Sequence, residues 1–133
     1  MRATLDRMQS RLNATPYLLR IGRLFSETVL LEVDGAEFYL TFRDGILEQI
    51  VEGPSRKTPW RFAFRTDREA LLQFWQPLPK PGFHDIFGLV KIGRGRIDGD
   101  ILTLVKNLRF FKDFMALART RVDDWLLVDE GDI

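Results

Sequence analysis

The stretch Ser26-ETVLLEVDGAEFYLTFRDGILEQIV-Glu52 decides the fold. It holds three strand-like runs separated by Asp34-Gly35 and Asp44-Gly45. Asp-Gly between apolar runs is a strong hairpin signal, because both central residues of a type I′ turn need positive φ. Two such turns in succession predict an antiparallel meander over residues 26–33, 37–43 and 46–52. In the middle run Phe38, Leu40 and Phe42 alternate onto one face. Beyond the loop Gly53-Pro54-Ser55, Pro59–Thr66 (PWRFAFRT) alternates again. It predicts a fourth strand, with Trp60, Phe62 and Phe64 on one face and Arg61 and Arg65 on the other.

The flanks read as helices. Thr66-Asp67-Arg68-Glu69 matches a capping box, with Thr66 as N-cap, ahead of a short helix carrying Leu71, Leu72, Phe74 and Trp75. Three alternate prolines make 77–82 a stiff loop. Residues 83–92 read as a helix and 93–100 as a short strand or turn. Asp100 is a good N-cap for one long helix over 101–118, whose apolar positions fall at helical spacing. On the N-terminal side, Leu5, Met8 and Leu12 form one stripe of a helix. Pro16 ends or redirects it, and a second short helix fits within 17–25. The order helices, strands, helices predicts an α+β domain with helices on one face of an antiparallel sheet. The expected units are a basic helical segment (1–25), the domain proper (26–118) and an acidic tail (119–133).

Composition narrows the function. The 133 residues suit one domain. Twenty Lys and Arg against 19 Asp and Glu give a net charge of +1, which argues against a nucleic-acid partner. With no cysteine there is no disulfide, thiolate metal site or Cys nucleophile. The N-terminus is amphipathic, unlike a secretory signal, and no apolar run approaches the roughly 20 residues of a membrane span. A soluble, cytoplasmic protein is the expectation. Eleven Phe against two Tyr is unusual: it means a large core, or a core around an apolar cavity.

Catalytic signatures are missing. The single histidine, His84, precedes Asp85, and helical neighbours point about 100° apart, so the two do not form a pair. There is no Gly-x-Ser-x-Gly elbow. One His without Cys leaves only carboxylate metal sites, and Asp98-Gly99-Asp100 lacks the rest of a calcium loop. Glu48 and Glu52 share a strand face about 13 Å apart, too far for a retaining carboxylate pair. Gly93-x-Gly95-x-x-x-Gly99 misses the dinucleotide fingerprint. Neither cofactor nor metal is expected.

Three segments, VLLEVDGAEFYLTFRDG (29–45), PWRFAF (59–64) with its capped helix, and RGRIDGD (94–100) leading into an apolar helix, resemble the sterol carrier protein 2 family. The resemblance spans about residues 26–118. It implies a five-stranded sheet covered by helices, with an apolar tunnel between them that binds sterols, fatty acids, acyl-CoA or phospholipids without catalysis. Relatives also serve as accessory factors in isoprenoid quinone synthesis. The chain departs from the family in its basic N-terminal helices and its proline loop. It also lacks a Ser-Lys-Leu-type ending.

The residues expected around such a cavity are Phe38, Phe42, Phe62, Phe64, Phe87, Leu104, Leu108, Phe111 and Met115. Arg94 or Arg96 would orient an anionic head. The same residues equally describe a completely filled core. The sequence therefore leaves two readings: a non-catalytic lipid carrier, or a filled-core interaction module, homodimeric or accessory to a lipid or quinone pathway enzyme. The N-terminal helix could lie on a membrane surface or pack its stripe on the domain.

Overall fold

Both Asp-Gly turns form. Asp34 and Gly35 take φ of 51° and 84°, and Asp44 and Gly45 take 51° and 81°. They connect β1 (Thr28–Val33), β2 (Ala36–Arg43) and β3 (Ile46–Glu52) into the expected antiparallel meander. The computed structural model describes residues 1–119. The acidic tail, apart from Arg119, lies outside the described residues.

Two more strands complete a five-stranded sheet of order β3-β2-β1-β4-β5, with β4 at Phe62–Thr66 and β5 at Gly95–Gly99. The sheet is mostly antiparallel, but β4 lies parallel to β1. The cause is the connection at residues 53–61. Strands β3 and β4 run in the same direction, so the chain must cross the sheet rather than turn back in a hairpin. It crosses the face away from the helices, where the Tyr39 hydroxyl donates to the Ser55 carbonyl at 3.0 Å. Trp60 travels with this crossing. It packs with Leu30, Tyr39 and Ala63, on the face opposite Phe62 and Phe64. The sequence expectation had placed all three aromatics together. Alternation fails for Trp60 because the ladder begins only at Phe62.

The helical layer covers the other face. It comprises α1 (Arg2–Asn13), α2 (Pro16–Ile21), α3 (Arg68–Phe74), α4 (Ile86–Lys91), α5 (Ile101–Lys106) and α6 (Leu108–Met115), then a 3-10 turn at Ala116–Ala118. The α1 stripe Leu5, Met8 and Leu12 is fully buried in the same cluster as the sheet residues. The N-terminal segment is therefore part of the domain's core.

Three helix starts and one helix run bear on the site. Asp67, not Thr66, caps α3: its carboxylate accepts from the Ala70 N–H at 2.8 Å. Thr66 ends β4, and its hydroxyl donates to the Arg94 carbonyl. Asp85 caps α4, which is shorter than the expected 83–92. Asp100 caps α5 as expected, accepting from the Thr103 N–H. The expected single helix 101–118 is broken at Asn107. The Asn107 amide side chain donates to the Thr103 carbonyl at 2.9 Å, satisfying the end of α5, and its own carbonyl accepts the first bond of α6 from Phe111.

Candidate functional site

Between sheet and helices lies an aromatic layer. Alternation sends Phe38, Phe42, Phe62 and Phe64 into it from the sheet, and α6 delivers Phe110, Phe111, Phe114 and Met115. The rings meet edge to face: Phe62 on Phe111 at 5.1 Å, and Phe42 on Phe114 at 5.1 Å and on Phe110 at 5.8 Å. Phe25 bridges the group, packing on Phe42, Phe62 and Phe110. These separations suit favourable quadrupole contacts. Among the described residues no polar or charged side chain is buried. The layer offers an apolar molecule surface, and the buried Trp75 indole N–H in the same cluster is already taken, donating to the Met115 carbonyl at 2.8 Å.

Of the eleven expected site residues, seven meet in this layer: Phe38, Phe42, Phe62, Phe64, Leu104, Phe111 and Met115. Phe87 is half-buried against its edge, and Leu108 is half-buried at the start of α6. The two arginines stand elsewhere. Arg94 holds Asp67 with two hydrogen bonds, at 2.8 and 3.0 Å. That bond is the leading reason the Asp67 carboxyl sits below its ordinary range. Arg96 is exposed on the far face of the sheet, because Ile97 takes the inward position of β5 opposite Phe64. It binds Asp98, which also accepts from Arg65. Arg96 first and Arg65 second hold the Asp98 carboxyl low. Both expected head-group residues are thus ion-paired components of the scaffold.

A second feature was not read from the sequence. An open cleft of about 570 Å³ lies at the end of the sheet where β1 and β4 start, lined by Glu27, Thr41, Phe42, Arg43, Trp60 and Arg61 among others. Arg61 spans it, 3.1 Å from Glu27 and 3.7 Å from Asp100. Phe42 is common to both: its ring packs in the aromatic layer, and the residue is among those that border the cleft. The cleft's residues come from five separate segments, and no spacing in the sequence links them. Phe25, Phe110 and Phe114 were also absent from the expected site. The width of the apolar stripe on α6 was the available signal for the last two. Among the described residues, no group of three or more metal-ligating side chains gathers, and no helix is long and apolar enough to cross a membrane.

A mixed five-stranded sheet with helices over one face and an aromatic layer between them is the sterol carrier protein 2 fold. The crystal structure of sterol carrier protein 2 matches with a TM-score of 0.70 over 90% of this chain and 96% of that one, at 13% identity. A conserved hypothetical protein of Thermus thermophilus, described as possibly a sterol carrier protein, matches at 0.69 over 90% and 86%, also at 13% identity. The ubiquinone synthesis protein UbiJ-SCP2 matches at 0.56 over 84% and 88%, at 18% identity. The sequence resemblance is borne out at the level of the fold. No protein-family model matches the chain, and no curated protein matches it in sequence.

Proposed function

We propose that the chain is a non-catalytic binder of a hydrophobic molecule, such as a sterol, fatty acid, acyl-CoA or phospholipid, acting in the cytoplasm. The ligand's apolar body would lie between the sheet and α5–α6, against Phe62, Leu104, Leu108 and Phe111. One observation supports this reading: the side chains packed between the two layers are almost wholly apolar, and one of the residues that supply them, Phe42, also borders an open, charged cleft. An amphipathic ligand fits that junction. Its chain replaces ring-to-ring contacts with ring-to-methylene contacts, at about 0.8 kcal/mol per buried methylene. Its head would stay at the cleft, where Arg43 and Arg61 stand paired with the acids Glu48, Glu27 and Asp100. Entry requires α5 and α6 to separate from the sheet, and the two are distinct helices interrupted at Asn107.

A second reading rests on the packing itself. The rings are in contact, and Phe62, Phe111, Phe114 and Met115 are at most 1% exposed. A core closed this way suits a protein-interaction or accessory module, homodimeric or bound to a lipid or quinone pathway enzyme. The likeness to UbiJ-SCP2 supports that direction.

Titration of the full chain with cis-parinaric acid, together with mass spectrometry of a solvent extract of the purified protein, separates the two. The carrier reading expects saturable binding near one per chain and its loss in a folded Leu108→Glu variant. A folded protein that takes no probe and yields no enriched lipid refutes the carrier and leaves the accessory reading.

A further inference from the structure

Helix α5 is built unlike α1. On α1 every residue of the apolar stripe is buried, so none remains to meet another surface. On α5 only Leu104 is buried, while Ile101, Leu102 and Val105 are 52%, 62% and 52% exposed. At about 100° per residue those three side chains and Lys106 occupy one arc of about 140°. The arc holds no acid and no aromatic residue.

The surroundings are basic. No acidic residue occurs between Arg7 and Ser26, or between Ile101 and Lys112. The two stretches meet in space. Arg109, with 80% of its side chain exposed, donates to the Tyr17 hydroxyl at 3.1 Å. The Arg20 guanidinium lies 5.9 Å over the Tyr17 ring, and Arg23 donates to the Arg20 carbonyl. Asp113 is the acid within this group, 3.7 Å from Arg109. At the other end of α5, Arg61 already engages the acids Glu27 and Asp100. Leu24, 85% exposed, lies three residues before Glu27 in the turn leading to β1.

We propose that α5, with the basic rim of Lys106, Arg109, Arg20 and Arg23, docks on an anionic lipid bilayer. Ile101, Leu102 and Val105 would enter the boundary between head groups and acyl chains, and the rim would lie against the anionic head groups. A protein partner fits the patch less well, because protein interfaces draw on aromatic anchors and this arc is aliphatic and cationic. The inference stands apart from the carrier reading: docking needs no ligand between the layers and is measured without one.

The test is co-sedimentation of the full chain with phosphatidylcholine vesicles, with and without phosphatidylglycerol, at low and high salt. Expected is binding to the phosphatidylglycerol vesicles that weakens as salt rises. Leu102→Glu/Val105→Glu and Lys106→Glu/Arg109→Glu should each lower it about tenfold, with thermal midpoints unchanged because all four side chains are exposed. Arg7→Glu on α1 should leave it intact. Absence of vesicle binding overturns the proposal. So does binding that survives both double variants, and its loss in Arg7→Glu would then move the surface to α1. Self-association in light scattering that Leu102→Glu/Val105→Glu abolishes, without vesicle binding, gives the patch to a second copy and equally overturns it.

Discussion

Truncating Phe111 to alanine measures how the aromatic layer is filled. Phe111 is 1% exposed, with its ring 5.1 Å from Phe62 at 88° and 6.1 Å from Phe114. In a close-packed interior, Phe→Ala loses the transfer free energy of the ring and leaves a void, at a combined cost of about 3–5 kcal/mol. The edge-to-face pair with Phe62 contributes about 1 kcal/mol of that. If the ring instead bordered open space, its removal would cost under about 2 kcal/mol, because fewer neighbours would lose contact. The assay is equilibrium urea unfolding. The midpoint should fall at unchanged slope, and the thermal midpoint should drop by roughly 10–20 °C. A cycle of Phe62→Leu and Phe111→Leu should show a coupling of about 0.5–1.5 kcal/mol. A loss below about 2 kcal/mol with no coupling would refute the description of the layer as filled at this point.

Asp67→Ala removes the cap on α3 and the partner of Arg94 together. The cap is worth about 1 kcal/mol, and the half-exposed ion pair adds little in water. The Asp67 carboxyl is held below its ordinary value of 3.8, first by the Arg94 hydrogen bond. Its contribution is therefore complete above that value and is lost as pH falls through the lowered one. Urea midpoints of wild type and Asp67→Ala should differ at neutral pH and converge in acid, and a gap that does not shrink as the pH is taken progressively below 3.8 would contradict this. Gly35→Ala and Gly45→Ala test the two turns. Both glycines have positive φ, but a Cβ at Gly35 meets nothing, whereas at Gly45 it falls 2.7 Å from the Gly22 backbone. Thermal unfolding should show a cost of about 1 kcal/mol at Gly35 and a clearly larger one at Gly45, and equal costs would contradict the close approach. Arg94→Gln should lower stability and leave parinarate affinity unchanged, since its guanidinium serves Asp67. Loss of affinity at unchanged stability would return it to the ligand site.

The meander was legible because its signals are local. Asp34-Gly35 and Asp44-Gly45 specify turns within two residues, and alternation within each strand then fixes which side chains face the helices. The parallel pairing of β4 was not legible. It depends on where residues 53–61 cross, and nothing in that stretch differs from an ordinary loop. Trp60 followed the same error, being counted by period two in a segment that had not yet joined the ladder. The break at Asn107 has a visible agent, an Asn that caps one helix and starts the next. It lies in a run whose apolar spacing continues through the break, and periodicity alone counts straight across it. For the candidate site, Phe62 and Phe111 were readable as facing each other, because each lies on the apolar face of its own element. Arg94 and Arg96 were chosen for charge and proximity, and their acids are remote or newly assigned: Asp67 is 27 residues from Arg94.

The end of the sheet where β1 and β4 start is where the structure differs most from a plain packed domain. Three features meet there: the charged cleft, Phe42, which borders the cleft and packs its ring in the core, and the first turn of α5 with its exposed aliphatic side chains. Arg61 links them, reaching Glu27 on the lead into β1 and Asp100 at the cap of α5. The Asp100 carboxylate thus serves both the α5 cap, through Thr103, and the salt bridge to Arg61. An anionic head group arriving from a bilayer would compete with both carboxylates for that guanidinium. The helix that touches the membrane would then be one of the two that must lift for the apolar layer to open. On the far face of the sheet Arg65 binds Glu32 and Asp98 and lies 5.8 Å over the ring of Trp60, which borders the same cleft. Docking and opening would have their common element in α5.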